Sequence, residues 1–270
     1  MYLIKIGGSK SLNLDAIADD IAVLWEENPG KVIIVHGASK YRNEIAQSLG
    51  IEVKKITSAS GVESYFSNKE FMDVFLMSYA GLLNKRIVSK LISKSVSAVG
   101  LSGIDGKLWL AKRKSYLYVK EKGKLKLIQA DLSGKVIGVN TELLNLLLKN
   151  NYLPVICSPA VSEAGEILNV DNDAAISEMI KPLKIQILVS LFSAPGILKD
   201  LSDEASVVKN IKFSQLDSFL PSAKGTMKKK IIFLKKAFEN GLKTAYLGDG
   251  RVKNPVINLL KRKGGSYIHL

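Results

Sequence analysis

Short apolar runs alternate with longer segments of helical periodicity along most of the chain. LIKI at 3–6 precedes LDAIADDIAVLWEE, where Ile17, Ile21, Leu24 and Trp25 share one face at i, i+4, i+7 and i+8. KVIIV at 31–35 precedes a polar helical segment around Asn43–Leu49, and FMDVFLMSYAGLLNKRIVSKLISK at 71–94 reads as one long, largely buried helix. SAVGLSG at 97–103 is a strand with a glycine stop. TELLNLLLKN at 141–150 predicts a helix and YLPVICSP at 152–159 a core strand. DAAISEMI predicts a helix capped by Asp171 or Asn172. IQILVSLF at 185–192 is a buried strand, and KKKIIFLKKAFENG at 228–241 an amphipathic helix with Gly241 as its C-cap. TAYLGD at 244–249 and SYIHL at 266–270 are late strands.

The stretch 107–139 breaks this rhythm. Its β-branched and aromatic alternation, with a turn at Glu121–Gly123, predicts a hairpin excursion rather than a strand–helix unit. The pattern as a whole predicts an α/β fold: a three-layer αβα sandwich on a mostly parallel sheet. A boundary near residue 180 divides 1–180 from 181–270, with both halves sharing one continuous sheet.

Composition narrows the class. The 270 residues are 47% hydrophobic, enough for a sizeable core. The single cysteine, Cys157, lies in an apolar run and reads as structural; with no disulfide framework the expected compartment is the cytoplasm. No targeting segment is expected at the start, and no apolar stretch approaches the roughly twenty residues of a membrane span. The formal charge is +14, and residues 221–270 hold twelve basic side chains against only Glu239 and Asp249. Such a surface attracts polyanions. A nucleic-acid module is not expected: the lysines are scattered, with no helix–turn–helix, zinc or stacking-aromatic signature.

Three features carry candidate chemistry. Gly7-Gly8, Gly37 and Gly103 each follow a strand, where loops at strand carboxyl ends line the ligand crevice of an open α/β sheet. Neither common nucleotide-binding glycine fingerprint is present. Asn169, Asp171 and Asp173 cluster where a helix begins. AKGTMKKKI at 223–231 opens a helix with three lysines, which oppose the helix dipole unless a polyphosphate binds there.

Together these stretches resemble the amino acid kinase family over essentially the whole length. The anchors are K-x-G-G-S at Lys5–Ser9, VHG at Val35–Gly37, LNVDND through Asn169–Asp173, PGIL at Pro195–Leu198 and G-x-M-x-x-K at Gly225–Lys230. Within it, SASGVESYFSNKE, LLNKRIVSKL, GLSGIDGKLWLAKRK, LSGKVIGV and SEAGEILNVDND are similar to the branch acting on aminoadipate or glutamate attached to an amino-group carrier protein. The resemblance implies an amino acid kinase-like fold and phosphoryl transfer from ATP, with Mg²⁺, to a side-chain carboxylate, giving an acyl phosphate. Lys5 and Lys230 would stabilise the transferring phosphoryl group, and Asp173 would orient both. Gly7, Gly8 and Gly37 would present N–H groups to it, with Ala38, Glu63 and Asn169 on the acceptor side. Ser193, Pro195, Gly196, Gly225 and Met227 would line the nucleotide site, and no protein ligand to the metal is assigned. The amino half would bind the acceptor and the carboxyl half ATP. The implied partner is a small acidic carrier protein, and the implied assembly a homodimer through the 71–94 helix.

The match departs from the family pattern at several points. His-Gly-Gly-Gly is His36-Gly37-Ala38-Ser39, and a strained loop follows if either lost glycine needs positive φ. Glu63 stands where the substrate-side arginine is expected, with Lys69 or Lys10 as substitutes. Ser193 replaces a strand-end aspartate, and Asn172-Asp173-Ala174-Ala175 replaces G-D-Q-A. These departures leave open a carrier-dependent kinase, a kinase for another small acceptor such as an acetylglutamate-type acid, and a weak paralogue that binds nucleotide or carrier and regulates.

Overall fold

The computed structural model describes residues 1–57, 63–114, 116–121, 124–128, 131–200, 202–220 and 225–270. The apolar runs pair into an eleven-stranded sheet. Its order is Asn210–Lys212, Ser266–His269, Thr244–Asp249, Ile187–Phe192, Tyr2–Ile6, Val32–His36, Leu153–Val161, Trp109–Arg113, Gly134–Val139. Ala98–Gly103 and Ile167–Leu168 also pair with Leu153–Val161. The central pairings are parallel; the antiparallel ones join Thr244–Asp249 to Ser266–His269, Trp109–Arg113 to Gly134–Val139, and Leu153–Val161 to Ile167–Leu168.

The first strand is the switch point. Strands from residues 32–168 lie on one side of it and strands from 187–269 on the other. Diverging connections leave a crevice at its carboxyl end, where ligands bind in open α/β sheets. Lys5 pairs in register with Val35 and Ser190 there.

Helices cover both faces. Leu14–Glu27, capped by Asn13, buries Ile17, Ile21, Leu24 and Trp25 and packs against Asn84–Ile92 and Pro255–Leu260. Asn172–Ile180 packs against Gly225–Glu239. Gly241 ends the latter connection at φ +106°, which favours glycine. The 71–94 segment is not one uniform α-helix: Lys69–Leu76 and Asn84–Ile92 flank a seven-residue π-helical stretch, Met77–Leu83. The 107–139 excursion is two nested hairpins. Trp109–Arg113 and Gly134–Val139 extend the main sheet, and Leu117–Glu121 with Lys124–Ile128 form a separate two-stranded ribbon. Of the expected turn at Glu121–Gly123, Glu121 ends the Leu117–Glu121 strand, and Lys122 and Gly123 lie outside the described residues. Cys157 is fully buried, and burial pushes its thiol pKa up, as for an inert core residue. No helix among the described residues is long and apolar enough to cross a membrane.

Candidate active site

Lys5 interrupts an apolar strand because its partner comes from elsewhere. Its Nζ forms an ion pair with Asp173 Oδ1, with both side chains mostly covered, 16% and 21% exposed. Asp173 is held by the local helix start. Asp171 is the N-cap, and its Oδ1 accepts from Asp173 N at 2.7 Å and Ala174 N at 3.2 Å. The neighbouring Asn172 donates from Nδ2 to His36 O at 2.9 Å, tying this helix to the end of Val32–His36.

Lys230 reaches the same place from Gly225–Glu239. Its Nζ lies 3.1 Å from the Phe192 ring centroid, at the end of Ile187–Phe192, while Lys5 Nζ lies 5.8 Å from the Phe233 ring. Burial first, and the nearby Lys5 charge second, push the Lys230 ammonium down to about 7; Asp173 opposes this. The cluster therefore sets two lysine amines, one of them pushed toward neutrality, against one carboxylate, and added negative charge would favour the second ammonium.

The glycine loops sort differently from expectation. Gly7 N–H donates to Leu191 O and Gly37 N–H to Ile6 O, both at 2.9 Å, so these two extend the ladder and are not offered to a ligand. Gly8 and Ser39 have no N–H acceptor among the described residues. A Cβ on Gly8 would lie 2.5 Å from Ser39 N and 2.9 Å from Ala38 N, so glycine is needed for close approach rather than for φ. Ala38 has φ −144° and Ser39 is not in the left-handed region, so losing glycine at both positions strains nothing. The loop thus sets the Ser39–Ser48 helix start beside Gly8, an anion-ready junction.

On the far wall, Asn169 Nδ2 donates to Ser67 Oγ at 2.9 Å. The buried Asp131 carboxylate fixes Ser67 by accepting its N–H at 2.9 Å and that of Ser133 at 2.8 Å. Glu63 is exposed, and its carbonyl accepts from Lys229 Nζ at 2.7 Å. Lys69 is exposed, and Lys10 pairs with Glu44. Ser193 is exposed, Pro195 and Met227 are half-buried, and buried Gly196 packs against Ser266. Gly225 opens its helix, but Gly61, Val62 and Lys224 lie outside the described residues. Asp131 and Phe233 are the parts that motif spacing missed; each comes beside these residues only through tertiary packing.

His36 is fully buried and accepts at Nε2 from Asn84 Nδ2 at 3.1 Å; burial pushes its pKa down to about 4. It is a neutral structural residue behind the loop. Among the described residues no three His, Cys, Asp or Glu side chains gather to hold a metal ion.

The model of the amino acid kinase family matches residues 1–249. The chain is 38% identical to the [LysW]-aminoadipate kinase of Deinococcus radiodurans over 98% of its own length and 90% of the relative's. It is 36% identical to the [LysW]-aminoadipate kinase of Thermus thermophilus over 98% of both. The solved carbamate kinase of Giardia superposes with a TM-score of 0.67 at 15% identity, covering 99% of this chain and 98% of the other. With that family model over residues 1–249 and relatives this similar along nearly the whole length, this chain belongs to the amino acid kinase family.

Proposed function

We propose that the protein transfers the γ-phosphoryl group of ATP to the side-chain carboxylate of aminoadipate or glutamate held on an amino-group carrier protein. The observation that carries this reading is the meeting of Lys5, Asp173 and Lys230 at the switch point of the sheet. Its acceptor class comes from the named activity of the relatives.

In the step, a carboxylate oxygen of the acceptor attacks the γ-phosphorus. The bond from that phosphorus to the β–γ bridging oxygen breaks, ADP leaves with the electron pair, and an acyl phosphate forms. Such transfer needs alignment and charge neutralisation more than covalent help. Lys230 and Lys5 neutralise charge on the equatorial and bridging oxygens. Asp173 holds the Lys5 ammonium in place, and the Gly8 and Ser39 N–H groups face the phosphoryl group. A triphosphate fits this cation-rich, N–H-lined junction. Mg²⁺ would be held through the nucleotide and would supply further neutralisation; among the described residues no carboxylate cluster gathers for it. The nucleotide would lie over the Ile187–Phe192 side and the acceptor over the Val32–His36 side, with 181–270 and 1–180 as the respective halves. A homodimer through the 71–94 segment, where Met77 and Ile92 are exposed, belongs to the same reading.

The test is ADP release with Mg²⁺-ATP and carrier-linked aminoadipate or glutamate, with the acyl phosphate trapped as a hydroxamate. Nucleotide binding without acceptor-dependent ADP release or hydroxamate would sink it.

A further inference from the structure

Arg42 has no part in the reaction as derived above, and its surroundings are unusual for an arginine. It lies on Ser39–Ser48 and is only 3% exposed. Its Cζ sits 3.9 Å from the Tyr65 ring centroid and 5.1 Å from that of Phe71. Asn43 Oδ1 accepts from Nε at 3.2 Å and from Nη2 at 2.7 Å. Among the described residues Nη1 meets no acceptor and no carboxylate pairs with the cation. Burying a guanidinium without a counter-ion costs stability, and ring faces with one amide oxygen offset only part of it. A buried cation with one open edge is set up to receive an anion.

Its location says which anion. Arg42 and Asp171 are both charged neighbours of the Tyr79 hydroxyl, which the Ala38 N–H faces. Ala38 abuts Gly8. Tyr65, against the guanidinium, is two residues from Ser67, which holds Asn169. Arg42 therefore stands between the Gly8–Ala38 junction and the Ser67–Asn169 bridge. The other cations considered for this wall are elsewhere: Lys10 is paired with Glu44, and Lys69 is exposed.

We propose that Arg42 is the specificity clamp of the acceptor site: its guanidinium takes the acceptor carboxylate that is not phosphorylated. This rests on the reaction proposed above. A planar fork backed by Tyr65 suits a carboxylate, and fixing that end aims the other toward Lys5 and Lys230. The clamp compensates for Glu63 by placing the recognition cation on a different element.

The experiment is a cycle of two enzymes and two acceptors. Wild type and Arg42→Met are assayed with carrier-linked aminoadipate and with carrier-linked ω-aminovalerate, which keeps the reacting carboxylate and lacks the other. Arg42→Met should raise the KM for aminoadipate on the order of 10- to 100-fold, leave the KM for Mg²⁺-ATP alone, and barely change the aminovalerate reaction. Free guanidinium should restore part of the loss in Arg42→Ala. A structural arginine predicts the opposite: a lower Tm and equal losses with both acceptors. As a clamp, Arg42→Met should keep or raise Tm, because an apolar residue replaces a buried charge. Should the variant fail to fold, wild type alone decides: equal KM for the two acceptors overturns the clamp. If wild type turns over neither acceptor, the reaction reading fails. Titration calorimetry of carrier-linked aminoadipate into wild type and Arg42→Met then tests the clamp alone, and equal affinity overturns it.

Discussion

Lys230 is the residue whose charge state depends most on what the site contains. Without ligand, burial and Lys5 hold its pKa near about 7 against the ordinary 10.5. Between those values the unfolded chain binds the proton and the folded chain does not, so ligand-free stability rises with pH across that window. In Lys230→Met that rise should be lost, as Tm measured from pH 7 to pH 10 will show. Arriving phosphate oxygens favour the ammonium, so ATP binding at about pH 8 should take up as much as about one proton. Calorimetry in buffers of different ionisation enthalpy measures this directly, and no uptake would remove Lys230 from the phosphate site. The same titration should make kcat/KM for ATP fall as pH rises through about 7, with kcat holding to higher pH. Lys5→Met and Lys230→Met should each lower kcat on the order of 100- to 1,000-fold, with a smaller change in ATP affinity. An equal loss of affinity would mean that these lysines bind the ground state only.

At the scale of elements, a remote cap ties the first helix to the last. Asn254 gives Pro255–Leu260 no side-chain cap; instead Asp20, 1% exposed on Leu14–Glu27, accepts from Val256 N at 2.7 Å and Ile257 N at 3.0 Å. Asp20→Ala strands two N–H groups and should lower stability by about 1–3 kcal/mol, with Asp20→Asn costing less. Denaturant midpoints for the two variants check the order. Asp20 also shows where periodicity misleads, since a carboxylate on a buried face reads as an error until its partners, more than two hundred residues away, are known. Elements with several turns or alternations were legible: Leu14–Glu27, Val32–His36, Ile187–Phe192 and Thr244–Asp249 fall where the apolar pattern puts them. The Lys55–Thr57 and Glu63–Tyr65 strands were not, because three residues carry too little alternation. The π-helical stretch was not legible either, since its apolar content reads as an ordinary α face while its wider turn carries Tyr79 toward Ala38. At the candidate site, Lys5, Asp173 and Lys230 were singled out by the family resemblance, and folding brings the three together. Arg42 was hidden in a polar segment because its meaning depends on Tyr65 and Phe71, which only folding brings beside it.

For the whole molecule, charge and topology act together. The sheet splits at Tyr2–Ile6, so a partner carrying the acceptor must present it at the open end of that crevice. The chain brings a formal charge of +14, with twelve basic side chains in its last fifty residues. Some lysines there are spoken for: Lys235 pairs with Asp217 and Lys236 with Glu178. Lys228 and Lys229 remain exposed on the helix that delivers Lys230, and Lys229 already reaches across to the Glu63 carbonyl on the acceptor side. The acidic carrier that the family resemblance implies would therefore meet positive charge on approaching the crevice as proposed. Such steering acts on encounter and is screened within about 8 Å at physiological salt, whereas the bonds made inside the site are screened far less. Raising the ionic strength should thus lower kcat/KM for the carrier-linked acceptor steeply while leaving kcat at saturation nearly constant. Lys228→Glu, Lys229→Glu should flatten that dependence and slow capture of the carrier without changing the KM for ATP. A salt-independent kcat/KM would mean that the excess charge is a solvated surface with no part in recruiting the partner.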